Sequence, residues 1–337
     1  MHWLDKVVEI LSAETSDLRE LACIAGYDPV TFYRGTDLAG LNVRGQDLSG
    51  MELPGLDLPA SPGGESGLYP PSTFDLDKVH TMIVAGEAPP AAWRPWIQHL
   101  DFRSERSFSD LSPLKALTAL QTLRLDNTQV VDLTPIAKIT ALNTLTLNGT
   151  NVADLSPIVD LTALERLDLD DTEVKDLATI VTLTALQSLT LRETQVTDLA
   201  PLRALTALQW LTLRETEVKD FAPLAALTGL RRLTLSDTPV RDLTPIAALT
   251  ALQELHLSNT QVTDLAPLAA LTSLEVLYIR HTNVTDLAPL ADLRSLSEVY
   301  VESEARQAIL ERTLRREGIV KRWISPRSRD STLTTRK

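Results

Sequence analysis

Aspartate followed by leucine or phenylalanine recurs at Asp110, Asp132, Asp154, Asp176, Asp198, Asp220, Asp242, Asp264 and Asp286, in steps of 22 residues. Threonine keeps the same interval at Thr128, Thr150, Thr172, Thr194, Thr216, Thr238, Thr260 and Thr282. Carboxylates and hydroxyls at fixed spacing could bind cations or pass protons. A catalytic site is local, however, whereas a scaffold requirement repeats, so the recurrence assigns both residues to construction. Asp168, Asp170 and Asp171, with Asp126 two repeats earlier, form an acidic knot. It is a candidate cation site, against the simpler reading of a solvated acidic face. The sequence has no phosphate-cradling glycine loop, no HExxH and no paired CxxC. His2, His80, His99, His256 and His281 have no metal-ligand spacing, and the single cysteine, Cys23, reads as a small buried hydrophobe. The expectation is a protein that is not an enzyme and holds no cofactor and no metal.

Between the threonines runs L-x-x-L-x-L-x-x-T-x-V, as in Leu120, Leu123, Leu125, Thr128 and Val130. Alternation of period two points the leucines inward and the residues between them outward. One such strand is too short to stand alone. Parallel strands stacked about 4.8 Å apart bury the leucines continuously. The segment D-L-x-P-L-x-x-L forms the return path. Its Asp accepts backbone N–H bonds at a helix start, and its Pro suits a first turn. Pro follows three residues after the Asp except in the fourth copy, where Thr179 replaces it. The repeat resembles the leucine-rich repeat family in its short bacterial form, as in the internalins. The resemblance covers about nine copies over residues 106–303. It implies an α/β solenoid with parallel strands on the concave face, short 3-10 turns on the convex face and helical caps. Family members carry Asn where this chain has Thr. There the side chain bridges adjacent turns, and a shorter Thr ladder is the expectation here.

Three outward columns follow from the period. The first is Thr122, Thr144, Arg166, Ser188, Trp210, Arg232, Glu254, Val276 and Glu298. The second is Arg124, Thr146, Asp168, Thr190, Thr212, Thr234, His256, Tyr278 and Tyr300. The third is Asp126, Asn148, Asp170, Arg192, Arg214, Ser236, Ser258, Arg280 and Glu302. Core positions stay constant from copy to copy while these vary. Trp, Tyr and Arg are enriched in binding hot spots. The expected partner site is therefore Trp210, Arg192, Arg214, Arg232, His256, Tyr278, Arg280 and Tyr300. The competing reading has Trp210 merely shielding aliphatic surface.

The ends of an open stack need covers. Residues 73–105 read as an N-terminal cap, with a helix near Leu76–Ala85 and a break at Pro89-Pro90. Residues 304–324 read as a helical C-terminal cap, the helix running over Ala305–Glu317, and 325–337 as a disordered basic tail. Glycine every five residues over 35–60 resembles the pentapeptide repeat family, behind a helical segment 1–34 and ahead of a linker 61–72.

Net charge is −13 in 337 residues. That disfavours phosphate backbones, although residues 304–337 carry a net +6. The first residues lack an unbroken apolar stretch, and no run of apolar residues is long enough to span a membrane. The expectation is a cytoplasmic chain with a protein partner, no nucleic acid and no membrane. It works as a rigid interaction module, or alternatively as a regulatory or sensor subunit beside a separate signalling effector.

Overall fold

The computed structural model describes residues 70–71, 73–103 and 105–302, and the backbone of 322–324. The expectations for 1–34, 35–60, the linker up to residue 69, the cap helix over 305–317 and the tail 325–337 lie outside these residues. The chain divides into two units. In the first, the described residues are 70–81 (without 72) and 89–96. Trp93 is buried there, edge-on to Phe74 at 5.9 Å, and its indole N–H donates to Thr73 Oγ1 at 3.3 Å. Helix α1 spans Leu76–Val84 and opens with Asp75 Oδ1 accepting the N–H groups of Asp77 and Lys78. It ends at Gly86, in the left-handed region at φ 82°.

The second unit holds the sheet. Its strands are β1 (His99–Asp101), β2 (Thr122–Arg124), β3 (Thr144–Thr146), β4 (Arg166–Asp168), β5 (Ser188–Thr190) and β6 (Trp210–Thr212). There follow β7 (Arg232–Thr234), β8 (Glu254–His256), β9 (Val276–Tyr278), β10 (Glu298–Tyr300) and β11 (Arg322–Ile324). All are parallel, and each pairs with its neighbour in sequence. From β2 to β10 the register advances one repeat per strand, for example Trp210↔Arg232 and Thr234↔His256. The sheet begins earlier than the repeat pattern, because β1 lies inside the segment read as cap. Its register, His99↔Thr122, absorbs a one-residue slip. Phe102 and Phe108 stack at 4.4 Å beside the slip, and both are buried. At the other end, residues 322–324 are a strand rather than part of a helical cap, paired with β10 through Val299↔Trp323.

The leucine periodicity is the core. Leu120, Leu123, Leu125 and Val130 are all fully buried, and so are their counterparts along the stack. Each full burial contributes roughly 1.5–3 kcal/mol, but only once a neighbouring strand covers it. Between strands, 3-10 turns such as Ser112–Leu114 and Ala222–Ala226 return the chain. Each begins beside a repeated Asp. Asp110 Oδ1 accepts the N–H of Ser112, Asp198 that of Ala200 and Asp286 that of Ala288, at 2.8–2.9 Å. Asp176 does the same for Ala178 at 2.7 Å, so the turn survives the loss of Pro at Thr179. The hydroxyl and N–H of Ser112, Thr134 and Thr244 hold Asp110, Asp132 and Asp242 below the ordinary carboxylate range.

The expected Thr ladder between turns is absent, and the hydroxyls do something else. Thr216 Oγ1 donates back to the Leu213 carbonyl at 2.7 Å, within its own turn, and Thr128 and Thr260 repeat this with Leu125 and Leu257 at 2.6 Å. Thr is too short to cross to the next repeat, so backbone groups make the crossing. The N–H groups of Asn127, Asp171, Glu193 and Asn259 donate to the carbonyls of Asn148, Arg192, Arg214 and Arg280. To aim these N–H groups the residues adopt left-handed geometry, φ 54–61°. A non-glycine residue pays about 1–2 kcal/mol for that geometry. Only Gly149, at φ 65°, occupies this turn position without the penalty.

Candidate functional site

Strand register brings the outward columns together as spaced in the sequence. On the N-terminal half of the face the acidic residues are tied to the scaffold. Asp126 accepts Thr146 Oγ1 at 2.7 Å and the Asn148 N–H at 3.0 Å. Asn148 Oδ1 accepts the Asp170 N–H, and Asp170 Oδ1 accepts the Arg192 N–H. These side chains form the inter-turn ladder that the threonines do not. Asp168 is buried and paired with Arg166 at 2.7 Å. Burial pushes its carboxyl above the ordinary range, against the pull of Arg166. Among the described residues no group of three acidic, His or Cys side chains is placed to hold a metal, and the carboxylates of Asp126, Asp168 and Asp170 are engaged by scaffold hydrogen bonds and by Arg166.

The predicted binding residues occupy the middle and C-terminal half. Trp210 is exposed, at 40% of its surface, and the Arg232 guanidinium carbon stands 4.6 Å from its ring centroid. Such a contact on a partly exposed surface contributes roughly 0.5–1 kcal/mol. Arg232 also pairs with Glu254, whose other oxygen meets His256 Nε2 at 2.6 Å. His256 stacks on Tyr278 at 4.0 Å and 11°, and Tyr278 on Tyr300 at 4.1 Å and 9°. Consecutive rings sit one strand apart in register and lean slightly closer than the strand spacing of about 4.8 Å, so three rings in one column become a parallel stack. Burial pulls the His256 imidazole below its ordinary range, with Glu254 opposing and Arg232 reinforcing the shift. Burial also raises the Tyr300 phenol, which donates to Glu298 Oε2 at 2.7 Å.

Two sequence expectations change here. Tyr300 lies in the outward column but is only 5% exposed, so it supports the stack rather than offering a free face. Arg192 and Arg214 are not bare cations. Arg192 pairs with Glu193 and reaches Glu215 at 3.7 Å, while Arg214 meets Glu215 and Asp237 at 3.0 Å each. Arg192, Arg214, Arg232, His256, Tyr278 and Arg280 are all half-buried. The sequence reading missed Glu254, Glu193, Glu215 and Asp237. Glu254 was legible, since it lies in the same column as Arg232, one strand on. The other three sit at the left-handed turn position, just beyond the outward columns, and only the turn geometry swings them back to the arginines.

The column between Trp210 and Arg214 has a floor of short side chains, Thr190, Thr212 and Thr234. The face therefore combines an exposed indole, a ring stack and mostly paired arginines. That suits non-covalent contact, since most of its charged groups are engaged with one another.

The sequence profile described as a leucine-rich repeat region matches residues 102–237, and that described as leucine-rich repeats in two copies matches 228–270 and 250–292. No curated protein matches the chain. Among solved structures it is similar to the internalin InlF of Listeria monocytogenes, with 27% identity and a TM-score of 0.63, covering 74% of each chain. It is also similar to a leucine-rich repeat protein of Leptospira interrogans, with 21% identity and a TM-score of 0.61, covering 67% of this chain and 60% of that one.

Proposed function

Because this chain is a leucine-rich repeat protein with an internalin-like solenoid, we propose that it is a non-catalytic scaffold that binds a protein partner on the outward face of its sheet. The observation that carries the reading is the cluster on β6–β9, where Trp210 stands exposed with Arg232 packed on its ring. Beside it the His256–Tyr278–Tyr300 stack holds its rings in fixed positions. An exposed indole is tolerated on a surface but serves best when buried in a complex, where such a residue can contribute about 2 kcal/mol or more. Fixed strands and stacked rings mean that little side-chain entropy is lost on binding.

The test uses the full chain as bait in lysate of its source cell, beside a Trp210→Asp/Tyr278→Asp variant whose fold is verified by circular dichroism. A protein retained by the wild type and lost by the folded variant supports the reading. Identical sets of retained proteins on both baits refute it and move attention to residues 1–72 or 304–337.

A further inference from the structure

Arginine is the main cation of the strand face, and nearly every copy is neutralised. Arg124 lies 3.7 Å from Asp101, and Arg166 is held by Asp168. Arg192, Arg214 and Arg232 each meet at least one of Glu193, Glu215, Asp237 and Glu254. Arg280 departs from this pattern. Among the described residues no carboxylate lies within ion-pair distance of it, and its guanidinium carbon stands 5.5 Å from the Tyr300 ring centroid. Its Nε–H, like that of Arg192, is buried without a hydrogen-bond acceptor, but Arg192 has carboxylates within reach and Arg280 has none among the described residues. A half-buried guanidinium has lost part of its hydration, and a donor left unmade costs more than an ordinary hydrogen bond returns. The ring beneath repays only part of that. Arg280 follows Tyr278 by two residues, so it borders the ring stack on the same face.

We propose that Arg280 receives a carboxylate from an acidic segment of the protein partner, with the Tyr278 and His256 rings as the apolar ledge beside it. The inference rests on the strand face being the binding face, and adds the chemistry of what it takes. A guanidinium presents paired N–H groups that match the two oxygens of a carboxylate. The complementarity is local. The net charge of −13 opposes an acidic partner at long range, so the contact acts only at close approach.

The experiment selects short random peptides displayed on phage against the immobilised full chain, and measures the enriched peptides by fluorescence anisotropy. The expected result is that enriched peptides carry Asp or Glu, and that Arg280→Gln or a peptide Glu→Gln change weakens binding about tenfold. Applied together, the two changes should cost no more than either alone. Arg280→Lys keeps the charge but not the paired N–H groups and recovers only part of the affinity, whereas Arg203→Gln, in the exposed 3-10 turn Ala200–Ala204 outside the strand columns, leaves it unchanged. Circular dichroism confirms that each variant folds. Peptides sensitive to Trp210→Asp/Tyr278→Asp but indifferent to Arg280→Gln would overturn this inference and leave the strand-face reading standing. Peptides indifferent to both, or no enrichment at all, would overturn both.

Discussion

The chemical state of single side chains on the face follows from what burial takes away and what a neighbour returns. His256 is the clearest case. Its folded pKa lies below the unfolded value of about 6.5, because burial and Arg232 outweigh the help of Glu254. The folded chain therefore binds this proton more weakly than the unfolded chain does. The stability it contributes is full above pH 6.5 and is lost as pH falls through the folded value. Replacing it by His256→Phe keeps a ring on Tyr278 but removes the proton. Urea unfolding on either side of pH 6.5 should show the wild type losing more stability on acidification than the variant. Equal losses would mean that the imidazole is not desolvated. A second residue-scale prediction concerns Gly149, at φ 65°, where an added Cβ would come within 2.8 Å of Asn127 Oδ1. Gly149→Ala should destabilise by about 1–2 kcal/mol. The same denaturation measurement checks it, and an unchanged midpoint would contradict the argument.

One repeat, as an element, is held by three devices of different reach. The Asp side chain starts the 3-10 turn, the Thr hydroxyl closes the following turn on its own carbonyl, and the left-handed residue hands an N–H to the next repeat. Of the three residues only the Thr is buried. Thr216 is 2% exposed, so Thr216→Val keeps the shape while leaving the Leu213 carbonyl without its hydroxyl donor. The expected cost is about 1 kcal/mol, read as a lowered urea midpoint with an unchanged slope. A neutral result would mean that the hydroxyl bond has no net value in this turn. The exposed Asp caps act in the same direction as His256 but at lower pH. Asp110, Asp132, Asp154 and Asp242 have depressed pKa values, so their contribution is present above about pH 3.8 and is lost as pH falls below it.

At the scale of the molecule, contacts run from each repeat to the next along the sheet, so the solenoid behaves as a one-dimensional stack. Deleting residues 133–154 joins Asp132 to Leu155 and removes one whole period without changing phase. The shortened chain should fold cooperatively with modestly lower stability and an intact β6–β9 face. Deleting 134–154 removes one residue fewer and shifts the leucines by one position, which flips inward and outward positions. It should lose cooperative unfolding in a thermal melt followed by circular dichroism. If both deletions behave alike, register is not what holds the stack.

The period by itself determined the strands, the inward leucines, the turn starts and the outward columns, because a 22-residue phase repeated without insertion allows one way to bury every leucine. It therefore placed Trp210, His256, Tyr278 and Tyr300 on one face before any coordinates. It did not determine how those side chains are spent. The columns treat each position as independent, whereas charge pairing depends on the left-handed turns that carry Glu193, Glu215 and Asp237 back to Arg192 and Arg214. The direction of the Thr hydroxyl, the burial of Tyr300 and the lack of a carboxylate partner for Arg280 among the described residues were likewise decided only in three dimensions. Each depends on distances of a few ångströms between neighbouring repeats, and the spacing of residues along the chain does not carry them.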